Sequence, residues 1–252
     1  MKRPLLDSIA SLLYFKSQRL LGSRGEECYR ELLAVERWPA ERLRRLESER
    51  LERILRHAVE NVPFYRERVT PRNAPVLADF PILTKEDVWK HFRDLMTPDL
   101  RRQHGPGRTA GAGYSWVEVK SGGSTGMPTT VIHDGEFRDH ARAGRMFSQY
   151  CCGFPVGTPY FRLWGAMGDI NQSRESFQKR VMSALVRERV MNAFRMNDAD
   201  MRRYLEAINS SRIRHGMAYV DAIDQLAQFA ERHGIAVRPL ESVMVGAGTV
   251  TA

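Results

Sequence analysis

The residues best suited to chemistry form one run, Ser121, Gly122, Gly123, Ser124, Thr125 and Gly126, inside "VEVKSGGSTGMPTTVIHDG". Glycine lets backbone N–H groups approach a ligand closely, and three hydroxyls add donors, so the run has the make-up of an anion-binding loop. The same composition also suits a plain hairpin connection. A Walker phosphate loop requires Lys and then Ser or Thr after its last glycine, but Gly126 is followed by Met127 and Pro128. A dinucleotide fingerprint laid over Gly105, Gly107 and Ala110 fails as well, because Pro106 interrupts it and neither a strand nor an immediate helix flanks it.

Few other residues compete for a chemical role. The three cysteines, Cys28, Cys151 and Cys152, show no metal-ligand spacing, and the vicinal pair reads as buried packing in a reducing cytoplasm. His133 and His215 lie near strand ends, where a histidine lines a site or simply satisfies its own surroundings. Thirty-nine Lys and Arg against 30 Asp and Glu give a net charge of +9, compatible with nucleic acid, an acidic membrane surface or anionic substrates. In "ERLRRLESERLERILRHAVE", however, glutamates interleave with arginines at helical spacing, which favours a salt-bridged solvated face over a nucleic-acid patch.

The elements that must position the loop can be read from periodicity. The N-terminus, "MKRPLLDSIASLLYFKSQRLLG", fits an amphipathic helix better than a signal peptide, and no stretch has the apolar length of a membrane span. Residues 41–60 carry Leu43, Leu46, Leu51, Ile54, Leu55, Ala58 and Val59 as a stripe expected to bury one helix face, and Pro63 ends that helix. "LTKEDVWKHFRDLM" starts a second helix with a capping box formed by Thr84 and Asp87.

Strands are expected in "YSWVEV" and "TTVIH", with the glycine loop joining them, and in "YFRLWGAMG", "RVMNAF", "RIRHGMAYV" and "LESVMVGAG". Helices are expected over "DGEFRDHARAGRMFSQYCC", over residues 173–189, after the Asn197 and Asp198 caps, and over "DAIDQLAQFAERHG", which Gly234 closes. The alternation argues an α/β layered fold with a largely parallel sheet in the second half. The last strand is followed by only "TVTA", so the chain reads as an interrupted fold.

With those flanks in place, "SGGSTGMPT" resembles the phosphate-binding loop of the adenylate-forming enzymes, usually Thr-Ser-Gly-Ser-Thr-Gly-x-Pro. Ser121 stands for the first hydroxyl residue, Gly122 replaces a serine, and Gly123, Ser124, Thr125, Gly126 and Pro128 match outright. "LERILRHAVENVPFYRERV", "FPILTKEDVWKHF" and "RIRHGMAYVDAIDQLAQFAERHGI" resemble segments of the phenylacetate-CoA ligase and CapK-like branch, in the same order over residues 45–250. Many relatives have lysine where this chain has Met127 or Thr129, so that part of the phosphate charge compensation is either missing or supplied by Lys120 or an arginine.

The resemblance implies a helical extension over 1–40 and the N-terminal domain of an adenylate-forming ligase over 41–252, helical over 41–113 and α/β over 114–252. It implies ATP bound by Ser121, Gly122, Gly123, Ser124, Thr125 and Gly126, with Mg2+, a carboxylic acid and coenzyme A as the other participants. Arg162 and Trp164 would border the site and Tyr219 would touch the acyl group. Relatives continue with an aromatic-Gly-x-x-Glu element and a lysine-bearing domain, so a separately encoded C-terminal half is an expected partner. A module that keeps only phosphate binding or a protein contact is the alternative.

Overall fold

Four β-rich segments of the second half become one parallel sheet in the computed structural model, which describes residues 4–70, 74–104, 116–120, 128–165 and 177–249, with 177–180 as backbone only. The chain divides into two compact units, one of residues 1–32 and 139–252, the other of residues 33–138. The first unit holds α1 (Leu5–Leu20), most of α2 (Gly25–Val35), most of α7 (Gly135–Cys151), α8 (Phe177–Leu185), α9 (Asp198–Ser210) and α10 (Val220–Arg232). Its strands are β3 (Tyr160–Trp164), β4 (Glu188–Asn192), β5 (His215–Tyr219) and β6 (Ser242–Gly246), ordered β4-β3-β5-β6 and all parallel. Each strand is joined to the next by a helix, as parallel pairing requires.

The two-residue period of β3 explains the layering. Phe161 and Leu163 point to one face, where they are fully buried with Leu205 and Ile208 of α9 and Leu226 and Phe229 of α10. Tyr160, Arg162 and Trp164 point to the other face, toward residues of α1, α7 and α8. Asn197 caps α9 by accepting the Asp200 N–H at 2.9 Å, and Gly234 takes φ +59° just past α10, as expected for both ends.

The second unit contains α3 (Ala40–Asn61), α4 (Pro63–Arg68), a 3₁₀ turn (Leu77–Asp79), α5 (Lys85–Lys90), α6 (Pro98–Gln103), and the strands β1 (Val117–Lys120) and β2 (Thr130–His133). Pro63 ends α3 and also opens α4 at its first position, where the missing N–H costs nothing. The Thr84 and Asp87 capping box forms with both reciprocal bonds, but its helix stops at Lys90 and residues 91–96 turn, so the expected long helix is one of six residues.

The apolar stripe of α3 differs from expectation. Only Leu55 is buried, at 7% exposure, while Leu43, Leu51 and Ile54 stay exposed along with the charged majority of the helix. Periodicity marks an apolar face, but burial also requires an element packed against it. The vicinal cysteines are not the buried pair expected of them: Cys151, the last residue of α7, is exposed and Cys152 is half-buried, while Cys28 is buried; all three are free thiols.

His215 is a satisfied interior side chain. It is 8% exposed, stacks on Phe154 with centroids 5.3 Å apart, and its Nδ1 lies 3.0 Å from Ser242 Oγ. Burial lowers its pKa from the ordinary value, opposed by the charges of Glu241 and Asp7. A histidine held neutral in the fold binds more protons when unfolded, so its contribution is intact above the unfolded pKa of about 6.5 and is lost as pH falls through the lowered folded value. Urea midpoints should therefore decline on going from about pH 8 to about pH 5.5, and His215→Gln should flatten that part of the decline.

Candidate functional site

The strands β1 and β2 form an antiparallel hairpin in which Val117 pairs with His133 and Lys120 with Thr130. The glycine loop runs between the last pair, and Ser121, Gly122, Gly123, Ser124, Thr125 and Gly126 lie outside the described residues, as do Gly105, Gly107 and Ala110. What the hairpin fixes is the stem. The Lys120 side chain is exposed at the end of β1, directly before the loop, and makes no hydrogen bond or ion pair among the described residues. His133 ends β2 and packs its ring 4.2 Å from that of Phe137, which leaves it at the far end of the hairpin from Lys120.

A second site lies wholly within the sheet-bearing unit. A cavity of about 760 Å³ is lined from α1 by Tyr14 and Gln18, from α7 by Arg142, Arg145, Met146 and Gln149, and from the sheet by Tyr160, Arg162, Trp164, Glu188 and Asn192, with Met182 and Ser183 from α8. Spacings of three, four and seven residues place Arg142, Arg145, Met146 and Gln149 on one face of α7. Six arginines line the cavity against the single carboxylate of Glu188, so its electrostatic character is cationic.

Glu188 is fully engaged at the first position of β4. Tyr160 donates its hydroxyl to Oε1 at 3.0 Å, Ser183 donates to Oε2 at 3.2 Å, and Arg162 pairs with the carboxylate through Nε and through Nη2 at 3.5 Å. Burial, followed by the Glu188 charge, pushes the Tyr160 phenol far above its ordinary pKa. Burial likewise raises Tyr14, with the cations of Arg142 and Arg145 opposing. Both phenols therefore stay protonated near neutrality and act as donors.

Two further donors face this space. Gln149 is 5% exposed and lies against the Tyr160 phenol, yet its Nε2 makes no hydrogen bond of acceptable geometry. Arg145 has no ion pair among the described residues, whereas Arg142 is held by Gln18 Oε1 at 2.6 Å and Ser23 Oγ at 2.9 Å. A buried amide donor beside an uncompensated guanidinium suits an oxyanion or another acceptor-rich group.

At the carboxyl ends of the strands the lining turns aromatic. Trp164 stacks on Tyr219 with centroids 3.9 Å apart, and Tyr219 donates its hydroxyl to the Gly165 carbonyl at 3.1 Å. Carboxyl ends of parallel strands are the customary place for ligands in open α/β sheets. Arg162 and Trp164 thus share one cavity and Tyr219 joins them through stacking, while His215 sits in the sheet interior and His133 belongs to the hairpin.

Tyr160, Gln149, Arg145 and Glu188 were not singled out by sequence reasoning. The α7 spacing carried a usable signal, because Arg, Arg and Gln on one helical face are costly to turn toward a sheet without a polar purpose. The described residues hold no group of three or more His, Cys, Asp or Glu suited to a metal, and no helix among them is long and apolar enough to cross a membrane. No protein-family model matches the chain, and comparison with curated proteins gives no significant match.

Proposed function

We propose that this chain carries the ATP-binding part of an AMP-forming carboxylate-activating ligase, with Ser121, Gly122, Gly123, Ser124, Thr125 and Gly126 holding the polyphosphate. The observation that carries this proposal is the stem of the hairpin, where antiparallel β1 and β2 bring Lys120 opposite Thr130 at the two ends of the glycine loop. A strand-loop-strand geometry sets this loop apart from the Walker type, which leads into a helix. The Lys120 ammonium, which has no ion pair among the described residues, would supply the charge that relatives draw from a lysine within the loop, so the residues present fit a polyphosphate chemically.

In such an enzyme a substrate carboxylate oxygen attacks the α-phosphorus of ATP, the bond to the bridging oxygen breaks, and pyrophosphate leaves with its electron pair. The acyl-adenylate then passes its acyl group to a thiol, with coenzyme A as the proposed acceptor, and AMP leaves. The contribution of this chain is to bind the β- and γ-phosphates through backbone N–H groups and hydroxyls and to offset developing charge with Lys120. Mg2+ accompanying ATP would neutralise phosphate charge further.

The test is thermal unfolding with and without MgATP. A ligand that binds the folded chain alone raises Tm, and at about 100 times Kd the gain is about 2.7 kcal/mol. MgATP is expected to raise Tm in the parent chain, and Ser124→Ala with Thr125→Ala is expected to abolish the rise. An unchanged rise in the double variant would locate nucleotide binding elsewhere.

A further inference from the structure

The helix α1 packs one side, which carries Asp7, Tyr14 and Gln18, and leaves an apolar side exposed. Its inner side is seated on the sheet-bearing unit. Tyr14 is buried there, Gln18 accepts from Arg142 at 2.6 Å, and Asp7 accepts from Arg187 at 2.5 Å. On its outer side Leu5, Ile9, Leu12, Leu13 and Leu20 are exposed, Leu5 at 76% and Leu20 at 88%. At about 100° per residue these positions fall within an arc of roughly 100°, with Lys16 in its middle. A contiguous exposed apolar arc normally marks an interaction surface, and nothing among the described residues covers this one.

The charges indicate what the partner is. Asp7 is the only acidic residue of α1, and it is turned inward and neutralised by Arg187. The outward charges are cationic: Lys16 is exposed without an ion pair among the described residues, and Arg19 pairs with Glu26 from a side chain that is itself largely in solvent. The whole chain carries +9, which attracts it to an anionic surface and makes two copies repel one another. A 16-residue helix is about 24 Å long, short of the roughly 30 Å hydrocarbon core, and therefore suits lying in the plane of an interface.

We propose that α1 is a membrane-interface anchor that inserts its leucine arc into the headgroup boundary of a bilayer containing anionic phospholipid, with Lys16 reaching the headgroups. A lysine within an apolar arc is suited to this position, because its stem packs among acyl chains while the ammonium reaches outward. The inference is independent of nucleotide binding and stands or falls without it.

Co-sedimentation of the full chain with phosphatidylcholine vesicles, with and without a quarter phosphatidylglycerol, tests the anchor. The chain is expected to pellet with the anionic vesicles and to remain largely in solution with the neutral ones. Leu12→Gln with Leu13→Gln should lower the vesicle partition coefficient at least tenfold, and Lys16→Glu should remove the preference for anionic lipid. Val237→Gln, at an exposed apolar position away from α1, should leave partitioning unchanged. In the parent chain, hydrogen exchange of α1 amides should slow when anionic vesicles are added, a reading that needs no variant.

Three results would overturn the proposal. One is a parent chain that stays in the supernatant with both vesicle types. Another is partitioning unaffected by the Leu12 and Leu13 changes. The third is a concentration-dependent dimer dissociated by those changes without vesicle binding, which would assign the arc to a second copy.

Discussion

Gly157→Ala is expected to destabilise the fold by about 3 kcal/mol, because it combines backbone strain with a clash that cannot relax. Gly157 has φ +94°, a region that costs an L-residue energy. A Cβ there would stand 2.2 Å from the carbonyl oxygen of Asp7 and 3.0 Å from the amide nitrogen of Ser11, both backbone atoms of α1. The same turn is clamped from above, since Arg187 Nη1 donates to the Asp7 carboxylate at 2.5 Å and to the Gly157 carbonyl at 3.3 Å. Relief of the clash therefore means lifting α1 off its seat and loosening a half-buried ion pair.

Gly153 provides the comparison. It has φ +87° but nothing within 4 Å of a built Cβ, so Gly153→Ala should show the strain alone, about 1 kcal/mol. Urea unfolding of both variants measures the difference. Hydrogen exchange adds its location: in Gly157→Ala, α1 amides should lose protection before those of β3 and β5 do.

The second large effect concerns the middle of the sheet. Gly216 pairs with Phe161 in the parallel register of β3 and β5, and a Cβ at Gly216 would lie 2.3 Å from Phe161 Cζ and 2.6 Å from Cε1. The ring occupies the space a side chain would take. Phe161 is fully buried among Leu163, Met191, Leu205 and Phe229, so the ring has nowhere to move.

Gly216→Ala should cost about 3 kcal/mol, at the upper end for overpacking. Phe161→Leu alone leaves a void and should cost about 1–2 kcal/mol. Made together, the two changes should cost less than their sum by about 1 kcal/mol or more, because the smaller side chain makes room for the new methyl group. Additive costs in urea unfolding would show that the ring does not set the requirement for glycine.

The sheet was legible because each of its devices is local. "YFRLWGAMG", "RVMNAF", "RIRHGMAYV" and "LESVMVGAG" announce strands by β-branched and aromatic content, and the segments between them have helical period and proper ends at Asn197 and Gly234. The Thr84 and Asp87 box was legible for the same reason, since capping involves residues three apart. The length of α5 was not: "HFRDLM" holds no breaker, and the chain turns there where the Phe64 N–H donates to the Asp94 carbonyl at 3.0 Å and the Phe64 ring packs on His91.

Burial was the harder quantity. Leu43, Leu51 and Ile54 of α3 and Leu5, Leu12 and Leu20 of α1 have the spacing of core residues, and all are exposed. Sequence pattern locates the apolar side of a helix without stating what meets it. The cavity was illegible for a related reason. Glu188 is satisfied by Tyr160, Ser183 and Arg162 from separate elements, and the parallel pairing of β3 with β4 is what brings Tyr160 beside it. For the loop from Ser121 to Gly126, the sequence supplied a composition that suits either an anion site or a plain turn, and the hairpin added the register of its stem.

Calorimetric titration of MgATP into the chain tests the central claim most directly. Saturable binding is expected, with inorganic tripolyphosphate competing and adenosine failing to compete, because the proposal assigns the loop and Lys120 to the phosphates and not to the base. Lys120→Ala should weaken binding about tenfold, the loss of one charge-assisted contact of about 1.5 kcal/mol. Absence of any binding heat across several temperatures, or equal affinity in the chain with Ser124→Ala and Thr125→Ala, would contradict the account.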